Sequence, residues 1–299
     1  MHARTRKVAI TEGVIAGFLF GTAAIFVRFL QNLDAFSIAF WRVAIACLAL
    51  AVLLVVLGKS FNFNLMRKNV KELLVLGVFL GLHFIFFVSA VKDTTILNAT
   101  VLVNTTPIFS MFLSSFFFNL KPSRLAVVGL IVSFIGVFLI GYFEATIVHA
   151  DLVGVSSLKG DLEAVLAALF IAFYLSYGRR IRSQMTIIST MLPIYLSAAV
   201  IIGILSLPVA SKTLVLPTEI GVVLPLVGLG ILPTATAHTL YFSSLSNLKS
   251  FETATMALLE PIGATILGVI VFNEVPAPLF VLGAALILLG IIFVAKEKL

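Results

Sequence analysis

Charge is scarce in this sequence. Asp, Glu, Lys and Arg make up 11% of its 299 residues, against 61% that are hydrophobic. That leaves too little polar surface to coat a water-soluble globule of this length, so a soluble enzyme or binding domain is excluded. Cysteine is nearly absent: Cys47, inside an apolar run, has no second cysteine for an intramolecular disulfide or a metal cluster. There is no Walker loop, HExxH helix or GxSxG elbow, so no catalytic residue, metal or cofactor is assigned and the chain is read as a non-enzyme. Segments of about ten alternating apolar and polar residues, the mark of a membrane-spanning barrel, are missing too.

What fills the chain instead is apolar windows of about 20 residues, the length an α-helix needs to cross the hydrocarbon of a bilayer. With a mean hydropathy of +1.19, the sequence predicts an all-α membrane protein. Ten transmembrane helices fit, over 8–30, 35–57, 70–92, 95–119, 123–143, 160–178, 186–209, 219–242, 251–272 and 276–295. The first run follows Arg6 and Lys7 as a secretory signal would, but it is too long for one and reads as a retained span.

The second half repeats the first. Adding 154 to Pro107, Phe118, Asn119, Pro122, Gly129 and Gly136 lands on Pro261, Phe272, Asn273, Pro276, Gly283 and Gly290. Such a register marks an internal duplication. The expected units are a first five-helix repeat over 1–145, an external linker over 146–159 carrying Asp151, Gly154, Ser156 and Ser157, and a second repeat over 160–299. With the N-terminus in the cytoplasm, all 20 Lys and Arg except Arg28, Arg42, Lys92, Lys159 and Lys212 fall on the cytoplasmic side. That bias favours both termini inside, in a multi-pass protein of the cell membrane. Five spans is an odd number, so the second repeat enters the membrane from the opposite face. Two inverted five-helix repeats are the plan of many secondary transporters, with the substrate site near the midplane.

The segments PheTrpArgValAlaIleAla at 40–46, GlyAspLeuGluAlaValLeuAla at 160–167, LeuGluPro at 259–261 and PheAsnGlu at 272–274 give the chain its resemblance to a known family. It resembles the drug/metabolite transporter superfamily, built from two EamA-type repeats, over nearly its whole length. The ten-helix YddG-type amino-acid exporters are most similar. The resemblance implies the fold and a transport function; the superfamily also includes drug exporters and exchangers of sugar phosphates and nucleotide sugars. One departure is that Glu274, closing span nine, has Leu120 at its shifted position.

Several polar residues in the spans are candidates to meet a substrate. Glu260 lies roughly 14 Å into span nine, where an ionisable group is costly unless it is protonated, paired or facing a wet cavity. It is either a structural acid or part of the pathway. Pro107 and Pro261 lack the N–H that would bond Val103 and Ala257 four residues back, so each kinks its span and is a candidate hinge. His83 in span three shifts onto Ala237, beside His238 in span eight. Thr234, His238 and Tyr241 share one face of a regular helix, which makes His83, His238 and Tyr241 candidate cavity residues. Asn98, Thr100 and Asn104 on span four and Tyr174 with Tyr177 on span six add neutral hydrogen-bonding groups, the alternatives being helix-to-helix contacts for the asparagines and an interfacial belt near Arg179 and Arg180 for the tyrosines. Arg42, beside the single Trp41, is placed one to two turns below the outer surface, either as an outer gate that binds a carboxylate or as a snorkelling or helix-pairing arginine. Of the 27 phenylalanines, Phe79, Phe86 and Phe87 near His83 are candidate cavity walls.

The sequence thus predicts a secondary exporter of small neutral or zwitterionic metabolites, amino acids first, working by alternating access. Its expected partners are the small-molecule substrate, the lipid bilayer and protons, in a monomer or weak homodimer; no nucleic acid is expected, since the net charge of +7 is scattered over loops. A multidrug exporter is the nearer alternative. Sugar phosphates and nucleotide sugars call for several cations deep in the membrane. An intramembrane enzyme or receptor is the alternative from another class.

Overall fold

The computed structural model describes residues 5–58, 61–147, 157–182, 184–209, 215–273, 276 and 279–297, and every regular element among them is helical. Local signals start several helices. Thr5 opens α1 (Arg6–Arg28), and Asp34 opens α2 (Ala35–Val56) by accepting the Ser37 N–H at 2.9 Å. Asn62 likewise opens the short α3 (Phe63–Lys68), which leads into α4 (Val70–Asp93). Each of these side chains takes a backbone donor that the first turn cannot satisfy internally.

The fourth apolar run is interrupted. It forms α5 (Ile96–Val103) and α6 (Thr106–Phe118), separated at Asn104 and Thr105 just before Pro107. Two uninterrupted helices follow, α7 (Arg124–Ile147) and α8 (Leu158–Arg182), then α9 (Ile187–Ser206). The eighth run begins as α10 (Ile220–Leu229), widens into a π-helical segment (Gly230–His238) around Pro233, and returns to α-helix as α11 (Thr239–Ser244). The ninth is broken like the fourth: α12 (Ser250–Met256), a 3₁₀ turn over Ala257–Leu259, and α13 (Glu260–Phe272) with Pro261 in its first turn. Both α6 and α13 stop at an asparagine in the left-handed conformation, Asn119 and Asn273, a helix ending that Asn tolerates better than most residues. The last helix, α14 (Phe280–Ala295), begins four residues later than the expected span at 276.

Among the described residues, eight helical stretches are long and apolar enough to cross a membrane: Arg6–Arg28, Ala35–Val56, Val70–Asp93, Asn98–Phe118, Arg124–Tyr142, Ile187–Ser206, Ile220–Ser244 and Ser250–Val271. Phe280–Ala295 is apolar but shorter, and Leu158–Arg182 is long but charged at both ends. Large apolar side chains point outward, among them Val55, Phe116 and Val281, each more than 70% exposed, as a lipid-facing surface requires. Glu274 and most of the 146–159 linker, including Asp151, Gly154 and Ser156, lie outside the described residues, as does Lys212.

Small residues let the helices approach. α7 and α14 cross glycine to glycine, so a Cβ on Gly129 would lie 2.6 Å from the Gly290 carbonyl oxygen and one on Gly136 2.5 Å from that of Gly283. Midway along this seam the Ser133 hydroxyl donates to the Ile287 carbonyl at 3.2 Å. On α1, Gly13, Gly17 and Gly21 are spaced four apart and face Met256, Leu259, Gly263 and Ala264 of the broken ninth run. Such small-residue spacing suits close helix contact in lipid, where packing rather than hydrophobic expulsion drives association. α4 packs on α8 and α9, α2 on α9 and the π segment, and α1 on α13, the π segment and α11. The interior they enclose is where the polar residues meet.

Candidate functional site

A cavity opens at the centre of the bundle, walled by α1, α2, α4, α8, α11 and both broken runs. Its volume is about 50 Å³. The site in this conformation is therefore narrow, with room for a few waters or one small polar group.

Of the residues singled out from sequence, His83, Asn104, Pro107, His238, Tyr241 and Glu260 line this cavity. Asn98, Thr100, Tyr174 and Pro261 do not. Asn98 donates to Asp161 on α8 at 3.1 Å, and the Thr100 carbonyl accepts the Asn104 side-chain amide at 2.9 Å. Tyr174 is fully buried, with its hydroxyl 3.4 Å from the Met191 sulfur. Among the phenylalanines only Phe87 of the expected three reaches the cavity, joined by Phe20. Phe79 stacks on Phe173 and Phe86 on Phe170, so both serve helix packing.

The proline breaks do not offer bare carbonyls. The Val103 carbonyl freed by Pro107 accepts the Thr106 hydroxyl at 2.7 Å, and the Ala257 carbonyl freed by Pro261 accepts the backbone N–H of Glu260 in the 3₁₀ turn. What the breaks contribute is direction: they turn Asn104, Thr106 and Glu260 toward the cavity.

The two histidines differ in their support. His83 Nδ1 is 2.9 Å from the Ala167 carbonyl oxygen, which can only accept, so that nitrogen carries the proton and Nε2 is left as the other functional atom. The His238 ring sits 6.0 Å from the His83 ring and is held edge-on by Phe20 at 4.8 Å and Phe84 at 4.9 Å, while its Nδ1 has no hydrogen-bond partner. Tyr241 packs edge-on against Phe20 at 5.2 Å. Glu260 is partly accessible and accepts no side-chain hydrogen bond from a described residue.

Arg42 does not snorkel to the outer surface: of the sequence readings it follows the helix-pairing one, 2% exposed and lining the central cavity. Its Nε donates to the Thr234 hydroxyl at 3.0 Å, and its guanidinium carbon lies 4.2 Å over the Phe84 ring. Seven residues into α2 is about 10 Å of depth, already far from the interface. A long side chain can cover the remainder, and its direction depends on which way the helix is turned. Thr234 does not share the cavity with His238 and Tyr241 as a regular helix would have it; in the π segment four residues no longer complete a turn.

One end of the bundle is tied by charge. Arg6 pairs with Glu252 and donates to the Ala295 carbonyl at 3.1 Å, joining α1, α12 and α14. Lys249 pairs with Glu297 at 2.9 Å, and Glu297 also accepts from the Ser123 hydroxyl at 2.5 Å. Beside them Ser250 of α12 meets Ser114 of α6 and Ser176 of α8. At the opposite end Lys159 pairs with Asp93 at 2.6 Å, and Asp161 accepts from Thr94 at 2.7 Å.

Comparison with known proteins agrees with this arrangement. Residues 8–142 and 158–296 each match the EamA-like transporter family. The chain is 25% identical over 290 residues to a Bacillus subtilis protein named uncharacterized transporter YxxF, covering 97% of this chain and 90% of that one. It is 26% identical over 288 residues to an uncharacterized transporter of Archaeoglobus fulgidus, covering 94% and 95% of the two chains. A solved crystal structure at 18% identity superposes with a TM-score of 0.81 over 98% of this chain and 97% of its own, which shows the shared fold.

Proposed function

The chain belongs to the EamA-like transporter family, within the drug/metabolite transporter superfamily, and on that premise we propose that it exports small neutral or zwitterionic metabolites, amino acids first, by alternating access. The observation that carries this reading is the pairing inside the cavity. One guanidinium, Arg42, and one carboxylate, Glu260, line the same small space without forming an ion pair with each other, and two imidazoles stand beside them. A site with one group of each sign suits a zwitterion. A sugar phosphate brings two negative charges, and Arg42 is the one Lys or Arg among the residues lining the cavity. The aromatic wall of Phe20 and Phe87 would also suit a drug exporter, but a buried arginine opposes the lipophilic cations such proteins handle.

In this reading α8 and α14 are the sixth and tenth spans, and the halves are inverted repeats. The α7–α14 seam supports it, because exchanging each residue for its counterpart 154 away maps the Gly129–Gly290 contact onto Gly283–Gly136 and the Ser133–Ile287 bond onto the same pair. Alternating access is supported by an asymmetry between the halves. α6 packs on α12, whereas the counterparts of that pair, α13 and α5, barely touch, so one end of the pathway is closed more tightly than the other. With the N-terminus cytoplasmic, as the charge bias favours, the closed end is the inner one, in a plasma-membrane protein with both termini inside.

The test is counterflow in liposomes carrying the purified protein, using the twenty amino acids, lipophilic cations and sugar phosphates as competitors. Amino acids should exchange and compete. If lipophilic cations or phosphorylated sugars drive counterflow and amino acids do not, the assignment falls.

A further inference from the structure

We propose that Arg42 is the receptor for a carboxylate, so that the substrate is selected for a free carboxyl group and its amide or ester is refused. The inference rests on the transport assignment above and adds the chemical group the cargo must carry. A guanidinium has five N–H donors in a planar fork, and burying it is costly unless they are used. Here Nε is committed to Thr234 and one face of the guanidinium to the Phe84 ring, but Nη1 is fully buried with no hydrogen-bond partner. The one carboxylate in the cavity, Glu260, does not come within ion-pair distance of it. An orphaned donor on a cavity-lining arginine is a place for an acceptor from outside the protein, and a carboxylate matches the fork in both geometry and charge.

The surrounding backbone is arranged to hold that fork still. Pro233 has no N–H to give the Leu229 carbonyl, which instead accepts the Thr234 hydroxyl at 2.7 Å. With its proton so directed, the Thr234 oxygen faces Arg42 as an acceptor. The Tyr195 hydroxyl donates to the Thr234 carbonyl at 2.8 Å and secures the same residue from α9. Gly230 brings the π segment against α2, where a Cβ would lie 2.5 Å from Ile45. A snorkelling arginine would need none of this. A side chain oriented by Pro233, Thr234, Tyr195 and Phe84, yet with neither amino group hydrogen-bonded to a described residue, is built to receive a ligand.

The experiment uses the full-length protein in liposomes. The amino acid with the fastest counterflow among the twenty is compared with its amide, its methyl ester and the hydroxy acid of the same skeleton. Wild type should favour the acid over amide and ester by at least about tenfold, the size of one charge-assisted hydrogen bond, and should retain the hydroxy acid as a competitor. Arg42→Gln should bring acid and amide to within about twofold of each other by losing the acid, a difference worth the same single bond. Thr234→Val, which keeps the charge and removes its orienting acceptor together with the bond to the Leu229 carbonyl, should raise the half-saturating concentration of the acid and leave that of the amide in place. Wild type that accepts amide and acid equally overturns the proposal, as does Arg42→Gln protein that keeps the preference. Should Arg42→Gln fail to insert, the wild-type panel and Thr234→Val still decide. If none of the twenty amino acids exchanges, the transport assignment itself has failed, a result distinct from exchange without carboxylate selection.

Discussion

The fourth and ninth apolar runs use one backbone device for two chemistries. Each is a short helix, a break, a proline in the next first turn, a 13-residue helix and a left-handed asparagine. At the break they diverge: Thr106 and Glu260 occupy equivalent positions before the prolines, and both line the cavity. Thr106 spends its hydroxyl on the Val103 carbonyl, a local repair of the break. In the ninth run the backbone of the 3₁₀ turn makes that repair itself, which leaves the Glu260 side chain available. The two runs differ in packing as well. All seven residues of α12 are buried, and its start is joined to α6, α8, α1 and α14 by Ser250, Glu252 and Lys249. α5 lies instead against α8, α7 and α4. A duplicated backbone thus keeps its shape where proline and asparagine dictate it, while side-chain chemistry and helix contacts are free to separate.

The sharpest way to break this comparison is to erase it chemically. Glu260→Thr gives the ninth run the residue of the fourth and removes the one acid in the cavity. Amino-acid counterflow in liposomes should fall at least about tenfold, roughly 1.4 kcal/mol in binding free energy. Counterflow at the wild-type rate would show that Glu260 takes no part in holding the substrate. A smaller effect is expected from the prolines. Pro107→Ala and Pro261→Ala each restore a backbone donor and straighten the break, so transport should slow several-fold while insertion into the membrane is unchanged. Unchanged rates for both would make the breaks incidental.

Thr106→Val tests the asymmetry of the repair. It leaves the Val103 carbonyl without its hydroxyl partner and should lower stability by about 0.6 to 1.7 kcal/mol, seen as a lower melting temperature in detergent. An unchanged melting temperature would mean that the backbone compensates as it does in the ninth run. The smallest effect concerns the tied end. Burial raises the Glu297 carboxyl, but bonds from the Ser123 hydroxyl and backbone and the Lys249 ammonium outweigh it and hold the group below the usual carboxylate range. A depressed acid stabilises the fold above its unfolded value near 4.3 and loses that contribution as pH falls through its lower folded value. Wild type should therefore lose more stability than Glu297→Gln as pH is lowered below about 4.3, and the two should run parallel above about 6. Parallel curves throughout would remove Glu297 from the tie.

Much of the backbone was legible because its residues act locally. Pro107 and Pro261 cannot complete a helix, Asn119 and Asn273 tolerate positive φ, and their common spacing announces the duplication before any contact is known. The run Gly13, Gly17, Gly21 carries an equally plain signal for close helix contact, since glycines four apart lie on one face. The polar residues were less legible. Depth along a span can be counted, and it placed Glu260 and His83 well inside the bundle. Direction cannot be counted in the same way: Arg42 turns inward to Thr234, Tyr174 turns to Met191 and Asn98 to Asp161. The π segment adds a further shift, because Pro233 did not reveal in sequence that the turn around it would widen and separate Thr234 from His238.

By itself, then, the sequence determined that the chain lives in a membrane, that it is helical, where its helices break and that its halves are copies. These properties follow from hydropathy summed over a window and from the backbone limits of single residues. Only the tertiary structure decided which polar groups share a cavity. Helices that are apolar nearly all round have no strong preferred face to read, so their rotation is chosen by packing. Gly129 against Gly290, Gly17 against Met256 and Gly230 against Ile45 set how the helices lie against one another. Within that packing Arg42, His83, His238 and Glu260 arrive in one small space from four different stretches of chain.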